Sequence, residues 1–168
     1  NNMAIRIDAF ELPSYREIPG VGLYLEQTVK YINECMAPLG CVEITSSMIS
    51  NYVKKGYISR PVKKQYSADQ IAALLFIAVA KLVLPMENIA RMMSMSADAL
   101  TVQQQYELFR AELHAALRST FSLSDAAPAT AECGTNGQAM LRSMVTAVAH
   151  VIYLNHCFEA LSTEKSEQ

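Results

Sequence analysis

Residues 45–67 read Thr45-Ser46-Ser47-Met48-Ile49-Ser50-Asn51-Tyr52-Val53-Lys54-Lys55-Gly56-Tyr57-Ile58-Ser59-Arg60-Pro61-Val62-Lys63-Lys64-Gln65-Tyr66-Ser67, and the folding of this stretch decides the reading of the whole chain. Thr45 is a good N-cap, because its hydroxyl can accept from an amide that the first helical turn leaves unbonded. Met48, Ile49, Tyr52 and Val53 then fall on one apolar face, which predicts a helix over residues 46–55. Gly56 ends it as a left-handed cap. Two β-prone pieces around a basic centre predict a short β wing over residues 57–66, although the turn lacks the Asn-Gly or Asp-Gly of a common two-residue hairpin. Ser67 opens the next helix, with Gln70 in the capping-box position.

Outward from this stretch the chain reads as helices. Leu25, Val29, Ile32 and Met36 mark one face of a helix over residues 22–37, stopped by Pro38 and Gly40. Ile71, Leu74, Leu75, Ala78 and Leu82 give a helix over residues 68–84. Pro85 suits the first turn of a short helix over residues 85–93. Longer helices are expected over residues 97–121 and 138–161, joined by a small-residue loop at 122–137. The domain plan is therefore an N-terminal arm (1–20), a domain of short helices carrying the wing (21–95), a C-terminal helical region (96–162) and a flexible tail (163–168).

Composition narrows the class. Of 168 residues, 51% are apolar and 18% charged, too apolar for a disordered chain. The most apolar run, residues 71–84, is short of the roughly 20 residues a bilayer span needs, so it reads as a buried helix. No basic leader precedes an apolar segment, which makes a reducing cytoplasm the expected location and the four cysteines free thiols. No Cys-x-x-Cys pair is present, and no nucleotide-binding glycine loop, nucleophile elbow or paired-acid motif, so neither a metal, a cofactor nor an enzymatic activity is expected.

The net charge of −2 hides a split. Residues 54–64 carry five cations (Lys54, Lys55, Arg60, Lys63 and Lys64) and no acid, while the other 157 residues sum to −7. A helix of about ten residues fits the DNA major groove, roughly 12 Å wide, and a basic loop beside it can reach phosphates. Ser47, Ser50, Asn51, Lys54 and Lys55 form the outward face of the first helix. Asparagine can read adenine through two bonds, lysine can reach guanine acceptors, and serine can meet a base edge or a phosphate. The candidate DNA-binding residues are thus Ser47, Ser50, Asn51, Lys54, Lys55, Arg60, Lys63 and Lys64. The plain alternative is a lysine-rich loop tip that serves solubility.

The run Ile49-Ser50-Asn51-Tyr52-Val53-Lys54-Lys55-Gly56-Tyr57-Ile58, with Pro61, Gln65-Tyr66-Ser67, Asp69, Ile71, Leu74, Ile77, Glu87 and Ile89, resembles the MerR-like winged helix-turn-helix family. More closely, residues 44–93 resemble the uncharacterised bacterial family called domain of unknown function 1836, itself grouped with helix-turn-helix proteins. The resemblance implies a mainly α fold, a MerR-like winged helix-turn-helix with a small β wing plus two long C-terminal helices. It implies a DNA-binding transcriptional regulator. It sets Tyr52 at the family tyrosine, Ser50 where the family carries arginine, and Gln65 in place of the wing arginine.

Other features read as structural. His150 and His156 are six residues apart and do not share a helix face, Cys35 and Cys41 straddle a turn, and Met86, Met92, Met93 and Met95 suit adaptable packing. The apolar sides of the last two helices suggest a homodimer through residues 97–161, since operators are commonly read by two-fold dimers. Double-stranded DNA is the expected partner and a membrane is not. A small-molecule effector is open and would show as a closed apolar cavity near the last two helices. The competing class is a helical protein-interaction module without DNA binding.

Overall fold

The computed structural model describes Ile7, residues 10–121 and residues 136–166. Residues 122–135 of the small-residue loop expected at 122–137, most of the first nine residues and the last two of the tail lie outside them, while residues 136 and 137 are helical. Six helices follow in order: α1 (Leu25–Met36), α2 (Ser46–Lys54), α3 (Ala68–Ala80), α4 (Met86–Met95), α5 (Val102–Thr120) and α6 (Asn136–Ser166). Single 3₁₀ turns occupy Tyr15–Glu17 and Ala37–Leu39.

α3 is the hub. Its sequence is apolar on every side rather than on one stripe, so it must be covered all round. Ile71, Ala72, Leu74, Leu75, Ile77, Ala78, Val79 and Ala80 are buried, and α1, α5 and α6 pack around them. α2 docks on this core through α1, and its Ile49 is fully buried. Truncating such a side chain to alanine costs about 2–5 kcal/mol, so α2 is rigidly seated.

The β wing is absent. Among the described residues there is no strand, only isolated bridges between Leu23 and Tyr66 and between Val62 and Gln65. The cause is local. Lys63 and Lys64 both stand at positive φ (51° and 64°), and the Gln65 amide donates to the Val62 carbonyl at 2.9 Å, so the chain reverses within four residues. Pro61 has no amide to extend the ladder beyond this turn. The carbonyls of Ser59 and Arg60, which a longer hairpin would need, are held by the Gln70 side chain. The sequence expectation of a MerR-like winged domain is corrected to an all-helical frame carrying a tight basic turn.

Other boundaries shift for stated reasons. Pro85 is the extended N-cap of α4 rather than its first helical residue. α4 continues two residues past the expected end at Met93, with the Ser94 hydroxyl bonded back to the Arg91 carbonyl at 2.9 Å. α5 starts at Val102, where Thr101 and Gln104 form a capping box. α6 runs five residues past the expected end at Leu161.

α5 and α6 lie parallel. Arg142 pairs with Glu112 near the middle of α5, and the Tyr153 and His156 rings meet Phe121 just past its end. Partner numbers rise together along both helices. By length and composition α6 is the one described helix that could cross a membrane. Its Leu141, Met144, Val145, Val148, Ala149 and Ile152 are buried. Tyr153, Leu154, Phe158 and Leu161 on the same helix are exposed.

Candidate nucleic-acid interface

The backbone of residues 44–66 is pinned by side chains from elsewhere. Asn33 on α1 clasps the chain ahead of α2, its Nδ2 donating to the Ile44 carbonyl and its Oδ1 accepting from the Ile44 amide, both at 2.9 Å. Thr45 Oγ1 accepts from the Met48 amide at 3.2 Å, the N-cap that the sequence anticipates. Ser46 donates to Glu26 at 2.8 Å. At the far end the Gly56 amide bonds the Val53 carbonyl and the Tyr57 amide bonds the Tyr52 carbonyl, a Schellman closure with Gly56 at φ 80°.

The turn beyond α2 is held from both sides. Leu23 and Tyr66 exchange backbone bonds of 3.0 and 2.7 Å. Gly22, at φ 82°, lets Gln65 approach so closely that a Cβ there would stand 3.0 Å from Gln65 Oε1. Gln70 Oε1 accepts from the Ser67 amide while its Nε2 reaches the Ser59 carbonyl at 2.9 Å, the Ser59 hydroxyl at 3.1 Å and the Arg60 carbonyl at 3.2 Å. One side chain thus caps α3 and anchors the basic turn. Ile58, Tyr52 and Tyr66 are buried, and burial pushes both phenols above their ordinary value. The two tyrosines are packing residues, not surface contacts.

All eight candidate residues are exposed: Ser47, Ser50, Asn51, Lys54, Lys55, Arg60, Lys63 and Lys64. Ser47, Ser50, Asn51 and Lys54 are spaced three, four and seven apart and so line one stripe of α2. None of the five cations is in an ion pair among the described residues, whereas Arg110 and Arg142 on α5 and α6 are both paired with glutamates. Gln65 packs on Gly22 and is not displayed like the lysines.

The sequence reading overlooked Asn33 and the second role of Gln70. Each acts on backbone eleven residues away, and Gln70 was visible only as a helix cap. Among the described residues no cluster of three or more His, Cys, Asp or Glu is placed to hold a metal. Cys35, Cys41 and Cys157 are free thiols, and burial raises the pKa of Cys35 and Cys41. His156 is buried, with Nδ1 on the Ile152 carbonyl at 2.8 Å.

A family model described as Domain of unknown function (DUF1836) matches residues 13–112, which span α1 to α4, the basic turn and half of α5. No curated protein and no solved structure matches the chain. The sequence resemblance to that family is therefore shown, and the resemblance to MerR-like proteins gains no support.

Proposed function

The chain belongs to the DUF1836 family, whose function is unknown, and from that premise we propose that it is a cytoplasmic DNA-binding regulator that grips duplex DNA with α2 and the turn after it. One observation carries the reading. Five cations with no ion pair among the described residues stand on a backbone fixed by Asn33, Gln70, Gly22 and the Schellman closure, next to an exposed Ser47–Ser50–Asn51–Lys54 stripe. Fixed backbone under exposed cations suits phosphate contact, because little backbone remains to be ordered on binding. α2 has nine residues and is about 14 Å long, comparable to the major-groove width of about 12 Å. Asn51 and Ser50 on it are the base-reading candidates, and Lys54, Lys55, Arg60, Lys63 and Lys64 the phosphate contacts.

The exposed Leu154, Phe158 and Leu161 repeat at helical spacing along α6 and supply a seam for a second copy. Two copies about a two-fold axis would read half-sites about 34 Å apart. Selection of bound duplexes from a random pool at fixed salt tests both statements. The expected result is an enriched pseudo-palindromic motif, and a pool that stays random overturns the reading.

A further inference from the structure

A cavity of about 460 Å³ opens between the first half of α3, the end of α4 and the first turns of α5 and α6. An apolar cavity of about 150 Å³ holds one benzene ring, so this one has room for two or three. Phe76 and Phe109, edge to face at 5.1 Å, belong to its wall, together with Ala73, Met92, Leu108 and Leu141. Among the described residues no Asp, Glu, Lys, Arg or His lines it. The Gln105 amide, which also faces it, already bonds the Leu100 carbonyl at 3.0 Å, and the Tyr106 hydroxyl bonds the Pro13 carbonyl. A charged guest would lose its hydration and gain no counter-charge, so the chemistry selects a neutral one. The methionine sulfurs favour aromatic edges and adapt to irregular shapes.

The cavity shares its wall with the proposed DNA interface. α3 contributes Ala72, Ala73 and Phe76 to the lining, and Gln70 one turn earlier holds the Ser59 and Arg60 carbonyls of the basic turn. A second route runs from Tyr106 to Pro13, and from Tyr15 to Asp69 in the first turn of α3. A guest that shifts α3 against α5 therefore acts on the segment that carries Arg60, Lys63 and Lys64.

We propose that the cavity binds an uncharged small molecule of two to three rings, and that this ligand is the effector of the duplex contact; the second half rests on the DNA reading above. The probe is N-phenyl-1-naphthylamine, neutral and fluorescent in apolar surroundings, titrated into the full chain. The expected result is saturable binding of one probe per chain, weakened at least tenfold by Ala73→Leu and by Met92→Phe and unchanged by Phe158→Ser on the exposed α6 seam. Melting curves identify which variants are folded, and the two cavity variants give independent chances of a folded one. Saturating probe should change duplex affinity by about fivefold or more, the lower end of ordinary coupling between sites. Absence of saturable binding, or loss of binding with Phe158→Ser alone, overturns the site. Intact probe binding with unchanged duplex affinity overturns the effector role. Probe binding by a chain that binds no duplex refutes the DNA reading and the effector role, and leaves the site standing.

Discussion

The α2-and-turn segment and the α5–α6 pair are built on opposite plans. In the first, side chains such as Asn33 and Gln70 hold the backbone, and the displayed Ser47, Ser50, Asn51 and five cations make no side-chain bond among the described residues. In the second, polar side chains are consumed internally: Arg142 by Glu112, Arg110 by Glu11, and Tyr106 by the Pro13 carbonyl. Apolar surface is also left open there, as the cavity and the seam at Leu154, Phe158 and Leu161. The first region is suited to a charged partner and the second to apolar ones. Net charge hides this contrast, because the acids elsewhere offset five cations held in one window.

The largest effect should come from removing a pin rather than a displayed residue. Asn33→Ala deletes two bonds and leaves the Ile44 amide and carbonyl without them, in a part-buried place. A loss of about 3 kcal/mol is expected in denaturant unfolding, with the m-value unchanged. Asn51→Ala should leave melting untouched, because Asn51 is exposed, yet reduce discrimination between bases by about 1–3 kcal/mol in competition binding. If Asn51→Ala instead destabilised the fold while Asn33→Ala did not, the contrast between pins and displayed residues would be reversed.

Gly22→Ala tests the turn from below. An alanine there meets Gln65 at 3.0 Å and must sit at φ 82°, so about 1–2 kcal/mol of stability should be lost. Duplex affinity should fall with it, because Gln65 closes the Lys63–Lys64 turn. A stability loss with unchanged affinity would separate the turn from the interface.

The smallest stability effect is a pH dependence on the α5 side. His114 Nε2 accepts from the Leu12 amide at 3.1 Å, and burial, then the nearby Arg110 charge, holds its pKa below the ordinary 6.5. The neutral ring is the bonded form. Its contribution is therefore full above pH 6.5 and is lost as pH falls through the depressed value, where the unfolded chain binds the proton first. Stability should decline more in wild type than in His114→Gln over that range. Parallel pH profiles would contradict this.

Much of this architecture was legible because it is local. Thr45, Gly56, the Ser67–Gln70 box and the unbroken apolar run of α3 each act within one or two turns, and each stands where its spacing put it. The exposed cations were legible as an acid-free run. The tight turn was not, because two lysines at positive φ carry none of the Asn or Gly that normally announces such a reversal, and β-prone neighbours suggested a longer hairpin. Asn33 and the second role of Gln70 were invisible because their partners are backbone atoms eleven residues away. The parallel order of α5 and α6 was equally hidden, since apolar periodicity fixes a face but not a direction.

The most direct test of the central claim is the salt dependence of duplex binding by wild type and by Lys63→Glu with Lys64→Glu. Both residues are exposed and form no ion pair among the described residues, so the double variant should melt like wild type. If the turn engages phosphates, affinity falls about a hundredfold, and the slope of log K against log salt becomes shallower by about 0.9 for each phosphate that the variant no longer neutralises. An unchanged affinity and an unchanged slope would contradict the account.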